Sequence, residues 1–150
     1  MSVPVSTNTA SFGARVIAFV IDCVLLETIH CFLFILLASN LIQVAPIEPL
    51  TFLTFIIFCL FTFFVSFVFL HMAYFTLFHA WSGQTIGKMI MGIRVVTNDN
   101  ELACPSVAFL RWSGYILSFV PLAIGFLWAA VDKDQCAWHD RLSQTRVISS

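Results

Sequence analysis

"SVAFLRWSGYILSFVPLAIGFLWAAV", residues 106–131, holds one charge, Arg111, and one proline, Pro121. Such a run can cross a bilayer once as a helix kinked at the proline. It can also turn near FVPLAIG and come back as two short helical pieces. The choice sets the topology, because it decides whether the elements before and after the run share one side of the membrane. Basic residues favour the return. Lys88 and Arg94 precede the run, Lys133, Arg141 and Arg146 follow it, and Arg15 lies near the start of the chain. A single crossing would leave the three tail positives outside, whereas a returning hairpin keeps all of these residues, and both termini, in the cytoplasm.

Two further apolar runs lie upstream, at residues 16–39 and 50–80. The first reaches ~36 Å as a helix, against a hydrocarbon core of ~30 Å. The second has no Asp, Glu, Lys or Arg and spans with length to spare. Between them NLIQVAPIEPL, with two prolines and no basic residue, reads as a short external loop. Composition agrees: of 150 residues 60% are apolar and 10% charged, with 17 Phe, and the mean hydropathy is +0.97. A soluble domain is about a quarter charged, so this chain cannot cover itself for water. Only Asp22, Glu27 and Arg111 among its charges fall inside the three runs. The expectation is an all-α polytopic membrane protein in contact with the lipid bilayer. It has one domain over residues 1–150, with two long transmembrane helices, a kinked or returning third segment, and cytoplasmic elements at 81–105 and 132–150. A net charge of −1 supplies no basic face for nucleic acid. The polar first eleven residues lack the marks of a cleaved signal, so the first run is expected to stay as an anchor. Cys23, Cys31 and Cys59 lie in apolar runs and read as small hydrophobes, with no disulfide framework.

The second half of the chain echoes the first. GKMIMGIRVV (87–96) lies over HDRLSQTRVI (139–148) at a constant shift of 52, with Arg94 on Arg146, Val95 on Val147, Val96 on Ile148 and Ile90 on Leu142. Lys88 falls on Asp140, so opposite charges take equivalent places, as paired elements around a pseudo-two-fold axis require. Each copy ends in β-branched residues, and RVVTNDNELAC offers a polar hairpin turn. A small cytoplasmic β-hairpin or sheet is expected, with residues 93–97 and 145–149 as neighbouring strands. That places both copies on one side of the membrane and again favours the return.

Three stretches together, ARVIAFVIDCVLL, YFTLFHAWSGQTIGKMIMGIRVV, and SVAFLRWSG through HDRLSQTRVI, resemble the RDD family of bacterial membrane proteins, named for one Arg and two Asp. The resemblance runs from about Phe12 to Ile148. It gives Arg15 and Asp22 the first two signature positions and Asp140 the third, with Asp132 as its competitor. It implies a multi-pass protein of the bacterial cytoplasmic (inner) membrane and transport, with sodium or proton antiport for some members. Glu27 with His30 departs from the family pattern.

An ionised carboxylate in hydrocarbon needs a cation or a proton. Asp22 lies ~10 Å along the first helix from Arg15, which only just reaches it. Arg111 is the expected partner. The pair either fixes helix packing or forms a site where Asp22 exchanges a proton for another ion. Glu27 sits ~140° around the helix from Asp22, so the two cannot share a site. His30 is spaced to take the Glu27 charge, while His71 and His79 stand ready across the interface, and a proton path through Asp22, Glu27 and His71 is the extended form of this reading. Lys88, Asp140 and Arg141 are expected to tie the two copies together. Thr85 should cap a short helix whose apolar face is Ile86, Met89, Ile90 and Ile93, with Trp81 and Trp138 in the interfacial belt. Gly83, Gly87 and Gly92 suit tight turns and close approach.

Soluble-enzyme motifs fail on inspection. GQTIGKM has three residues between its glycines and Met89 where a phosphate loop needs a hydroxyl. His139 and Asp140 are adjacent and their side chains diverge, and no Gly-x-Ser-x-Gly or His-Glu-x-x-His occurs. Cys136 and His139 offer two of the four ligands a closed zinc site takes. No catalytic residue, metal or cofactor is expected, and no enzyme. Two functions remain. One is a small carrier of a monovalent cation or proton, working as a homo-oligomer because so few helices scarcely enclose a path. The other is a structural or assembly subunit bound to another membrane protein.

Overall fold

The two stretches richest in Phe, Leu, Ile and Val become the two longest elements, helix α1 (Phe12–Ile42) and helix α2 (Pro49–Trp81). Pro49 opens α2 where a missing N–H costs nothing. This computed structural model describes residues 9–43, 48–120, 124–132 and 135–149. Pro121, Lys133 and residues 44–47 of the expected external loop lie outside the described residues. Of the 33 residues of α2, only Phe75 and His79 are buried. In water that surface would aggregate; in a bilayer it is ordinary contact with acyl chains. Both helices are long and apolar enough to cross a membrane.

The remaining elements are short: α3 (Ile86–Ile90), β1 (Ile93–Thr97), α4 (Pro105–Phe119), α5 (Ile124–Val131), α6 (Trp138–Leu142) and β2 (Thr145–Ser149). The order is therefore helix, helix, short helix, strand, twice over. The third apolar run forms two helices, and α5 lies tightly on α4. At Gly125 a Cβ would come within 2.6 Å of the Ser118 Cα, so only glycine permits the approach.

β1 and β2 pair antiparallel over the expected residues, with Val95 opposite Val147, Ile93 opposite Ser149 and Thr97 opposite Thr145. Val95 and Val147 also coincide in the 52-residue shift, so a local two-fold passes between them. The short helices obey the same shift at both ends, 86 to 138 and 90 to 142. So do the left-handed residues that flank them: Gly83 (φ 70°) matches Gln135 (φ 54°), and Gly92 (φ 62°) matches Gln144 (φ 51°). The expected hairpin is corrected in one respect. The polar turn closes on itself through Thr97 N to Glu101 O at 2.9 Å, and the chain enters α4 at Pro105. Too few residues remain there for a second strand, and β1 takes its partner from the far copy. Residues ahead of α1 line the other edge of β2, through Ala10 N to Val147 O at 3.0 Å. Ala10, Ala18, Ile93, Val95 and Val147 form the apolar core.

The chain divides into two compact units, one holding the residues up to Asp22 and from Tyr74 on, the other Cys23–Ala73. Inside the second unit Phe34 and Phe63 meet edge to face at 4.8 Å, and His30 Nε2 lies 2.9 Å from Ser66 Oγ. His71, not His30, stands by Glu27, with Nε2 to Oε1 at 3.5 Å. His30 turns instead toward the Ser66 hydroxyl and the Phe63 ring, 4.5 Å away, because a buried imidazole gains more from a fixed hydroxyl than from a half-exposed carboxylate. Of the expected apolar face of α3, Ile93 is buried in the core. Within α3 itself the expectation is corrected: Gly87 and Lys88 are the buried residues, while Met89 and Ile90 are 47% and 64% exposed. The reason is Asp22, which draws the Gly87 edge of the short helix inward.

Candidate functional site

Two buried aspartates organise the first unit, and the protein treats them differently. Asp140 comes from α6 and is fully buried, with an arginine against each of its oxygens. Arg111 Nη2 of α4 lies 2.5 Å from Oδ1 and Arg15 Nη1 of α1 lies 3.1 Å from Oδ2. Ala137 N donates to Oδ2 at 3.0 Å, so the same carboxylate closes the start of its own helix. Arg15 spends its other donors on backbone carbonyls, at Ala10 (3.1 Å), Gln135 (2.7 Å) and Val147 (3.2 Å). Arg111 donates to the buried Thr145 hydroxyl, and its guanidinium sits 5.9 Å from the Tyr115 ring centroid. Burial alone would raise the Asp140 carboxyl; the charge of Arg111, joined by that of Arg15, overrides it and holds the group at about 2. Burial also lowers His139 to about 3. Its ring, 3.6 Å from Asp140, is therefore neutral and forms no ion pair.

Asp22 is 1% exposed and has no ion-pair partner among the described residues. Three neutral donors hold it instead: the Tyr74 hydroxyl at 2.7 Å, the Gly87 N–H at 2.7 Å and the Thr85 hydroxyl at 2.5 Å. The same groups finish the start of α3. Ile86 N donates to Tyr74 Oη at 3.1 Å and Lys88 N to Thr85 Oγ1 at 3.4 Å, so Thr85 caps the helix as expected. Gly87 is required for this contact. An added Cβ would collide with the Ala18 carbonyl and lie 3.0 Å from Asp22 Cγ. The expected Asp22–Arg111 pair is thus corrected: Arg111 belongs to Asp140. Partner choice followed helix packing, and α4 lies against α6, where at Gly114 a Cβ would meet His139 Cβ at 2.9 Å.

Lys88 follows Gly87 into the interior, and its Nζ lies 2.6 Å from Nε2 of His79. It does not pair with Asp140, as expected from the sequence, and neither does Arg141, which pairs with Asp132 at 2.5 Å. Asp132 Oδ2 also accepts from Cys136 N at 3.0 Å. Burial, and after it the charge of Arg111, lowers the Lys88 amine to about 7 against the opposing pull of Asp22 and Asp140. Arg15, Asp22, Lys88, Arg111, Tyr115 and His139 all line one cavity of about 280 Å³, whose remaining walls are mostly apolar.

Of the residues expected from the sequence, Arg15, Asp22, Lys88, Arg111 and Asp140 gather in this unit. Asp132 and Arg141 form a separate, more exposed pair, and Glu27 and His71 meet in the other unit. Tyr74 was missed, and His79 was expected in another role. Their signal was available, for Tyr74 and His79 are polar side chains at the end of an otherwise apolar run, next to the Gly-rich turn. Among the described residues no group of three or more His, Cys, Asp or Glu is placed to hold a metal.

No match was found among the curated proteins or among the solved structures. A family model does match, the RDD family, over residues 9–144, a span that takes in α1 through α6 and every charged residue of the cavity. Its two buried aspartates, the two arginines that clasp Asp140 and its long apolar helices are therefore those of a family member: the chain belongs to the RDD family.

Proposed function

We propose that this protein carries a monovalent cation or proton across the bacterial cytoplasmic membrane, and that the ion is exchanged at Asp22. One observation carries the reading. Asp22 is a buried carboxylate that lines a cavity, held among the described residues by neutral donors and facing an amine of nearly neutral pKa. A site that must bind and release an ion needs a charge left open in this way, because a carboxylate locked to guanidinium has nothing to exchange. The carrier is not an enzyme on this reading.

The topology we propose is two crossings, α1 and α2, with the third run returning to the side it left. Three features support it. α4 and α5 have 15 and 8 residues, or ~22 Å and ~12 Å, each short of the ~30 Å core. β1 and β2, which flank the run, are hydrogen-bonded neighbours. Keeping Arg15, Lys88, Arg94, Lys133, Arg141 and Arg146 together satisfies the positive-inside tendency with both termini cytoplasmic. Two crossings enclose no path, so a homo-oligomer completes it.

The test reconstitutes wild type and Asp22→Asn in liposomes and follows proton movement driven by sodium or potassium gradients. Asparagine keeps an acceptor for Gly87 and Tyr74, so folding is expected to survive and movement to cease. Equal movement in the two proteins rejects the reading. A second reading, a non-catalytic assembly subunit of a membrane complex, draws on the Arg15–Asp140–Arg111 cluster, whose carboxylate is ion-paired within the chain. It expects Asp22→Asn to lower oligomer yield and leave no flux to lose.

A further inference from the structure

We propose that Lys88, which lines the cavity, and His79 behind it form a proton-binding site, holding one exchangeable proton between two basic nitrogens. This deepens the cation-exchange reading and rests on it only for the coupling described below. The geometry is direct. Lys88 Nζ and His79 Nε2 are 2.6 Å apart, and the two residues are 7% and 0% exposed. At that distance one nitrogen must offer a lone pair and the other a proton. A second proton would set two cations in contact without solvent, so the pair takes one.

The surroundings set that proton near its point of balance. Around the pair stand Asp22 and Arg15 from α1, Arg111 and Tyr115 from α4, and His139 and Asp140 from α6, while Tyr74 of α2 is bound to Asp22. The positive charges of Arg15 and Arg111 are matched on one side by Asp140 and on the other by Asp22. With Lys88 neutral the cluster sums to zero; with Lys88 charged it carries one excess positive charge. A monovalent cation entering beside Asp22 adds the same single charge. The cavity therefore holds a proton on the pair or a cation at Asp22, and each disfavours the other through their repulsion at low dielectric. The balance is simple: one proton leaves Lys88 for water as one cation arrives.

The sequence makes this testable, because Lys88 has a single companion lysine, Lys133. Protein purified in detergent with ¹³C-labelled lysine gives two Cε signals, and Lys133→Arg assigns the one belonging to Lys88. Titrated in sodium- and potassium-free buffer, that signal is expected to pass from ammonium to amine with a midpoint near pH 7, more than a thousandfold easier deprotonation than the ordinary lysine at roughly 10.4. A signal that stays ammonium beyond pH 9, or is amine already at pH 5, overturns the site. Repeating the titration with added sodium or potassium chloride, against choline chloride as control, should lower the midpoint. A midpoint near 7 that ignores sodium and potassium upholds the proton site and rejects cation exchange at Asp22, so the two ideas fail separately.

Discussion

The two copies of the repeat use one backbone plan for opposite ends. In the second copy the carboxylate is internal to the short helix: Asp140 accepts from Ala137 N and is clasped by two guanidinium groups. In the first copy the equivalent position holds Lys88, and the carboxylate arrives from α1 as Asp22, with no guanidinium paired to it among the described residues. One copy is closed electrostatically. The other keeps an anion and an amine beside a cavity, each held by neutral groups. On the proposed function, charge-exchange chemistry belongs in the open copy, and the closed copy holds the fold that positions it.

If that division is right, damage to the closed copy should appear as lost stability. Arg111→Leu leaves Asp140 buried beside a single, partly exposed arginine, and should cost about 3–5 kcal/mol, read as folded yield and unfolding midpoint in detergent. A loss under about 1 kcal/mol would show that the cluster is not closed in the way its geometry implies. Acid should act on the same copy. His139 is held at about 3 while an unfolded imidazole takes its proton near 6.5, so the unfolded state binds the extra proton and stability falls as pH drops from 6.5 toward 3. Asp140, held at about 2 against an ordinary 3.8, adds a second loss as pH falls from 3.8 to 2. Each group contributes about 1.4 kcal/mol per pH unit within its window. Unfolding compared at pH 7, 5 and 3.5 tests this, and a pH-independent stability contradicts it.

The open copy should be easier to alter without unfolding. Gly87→Ala pushes α3 off α1 at the Ala18 carbonyl and should cost about 1–3 kcal/mol. It should impair transport beyond its effect on yield, since it also disturbs the Gly87–Asp22 bond. The smallest effect is reserved for the pair outside the cavity. Arg141 is 55% exposed, and Arg141→Ala should change stability by no more than about 1 kcal/mol. A larger loss would move Asp132 and Arg141 into the structural core.

Much of the fold was legible because the signals are periodic or repeated. Apolar runs at 16–39 and 50–80 lie inside α1 and α2, and the 52-residue echo placed both strands at their observed residues. Side-chain partnership was not legible in the same way. Asp22 and Arg111 are charges inside apolar runs, and hydropathy alone pairs them; the packing of α4 on α6 gives Arg111 to Asp140 instead. Hydropathy ranks residues by their need for a partner, while partner identity depends on which helix faces which. Lys88 was given to Asp140 and Arg141 for the same reason. Nothing local in GKMI reports that Gly87 is pressed against Ala18 and carries the lysine inward to His79.

The most direct measurement sets the two aspartates side by side: Asp22→Asn and Asp140→Asn, each reconstituted, with sodium- or potassium-driven proton flux normalised to the folded, monodisperse fraction. Asp22→Asn should give near-normal yield and no flux, while Asp140→Asn should give poor yield with flux per folded molecule largely retained. The reverse pattern, or undiminished flux in Asp22→Asn, would contradict the assignment of ion exchange to the open copy and architecture to the closed one.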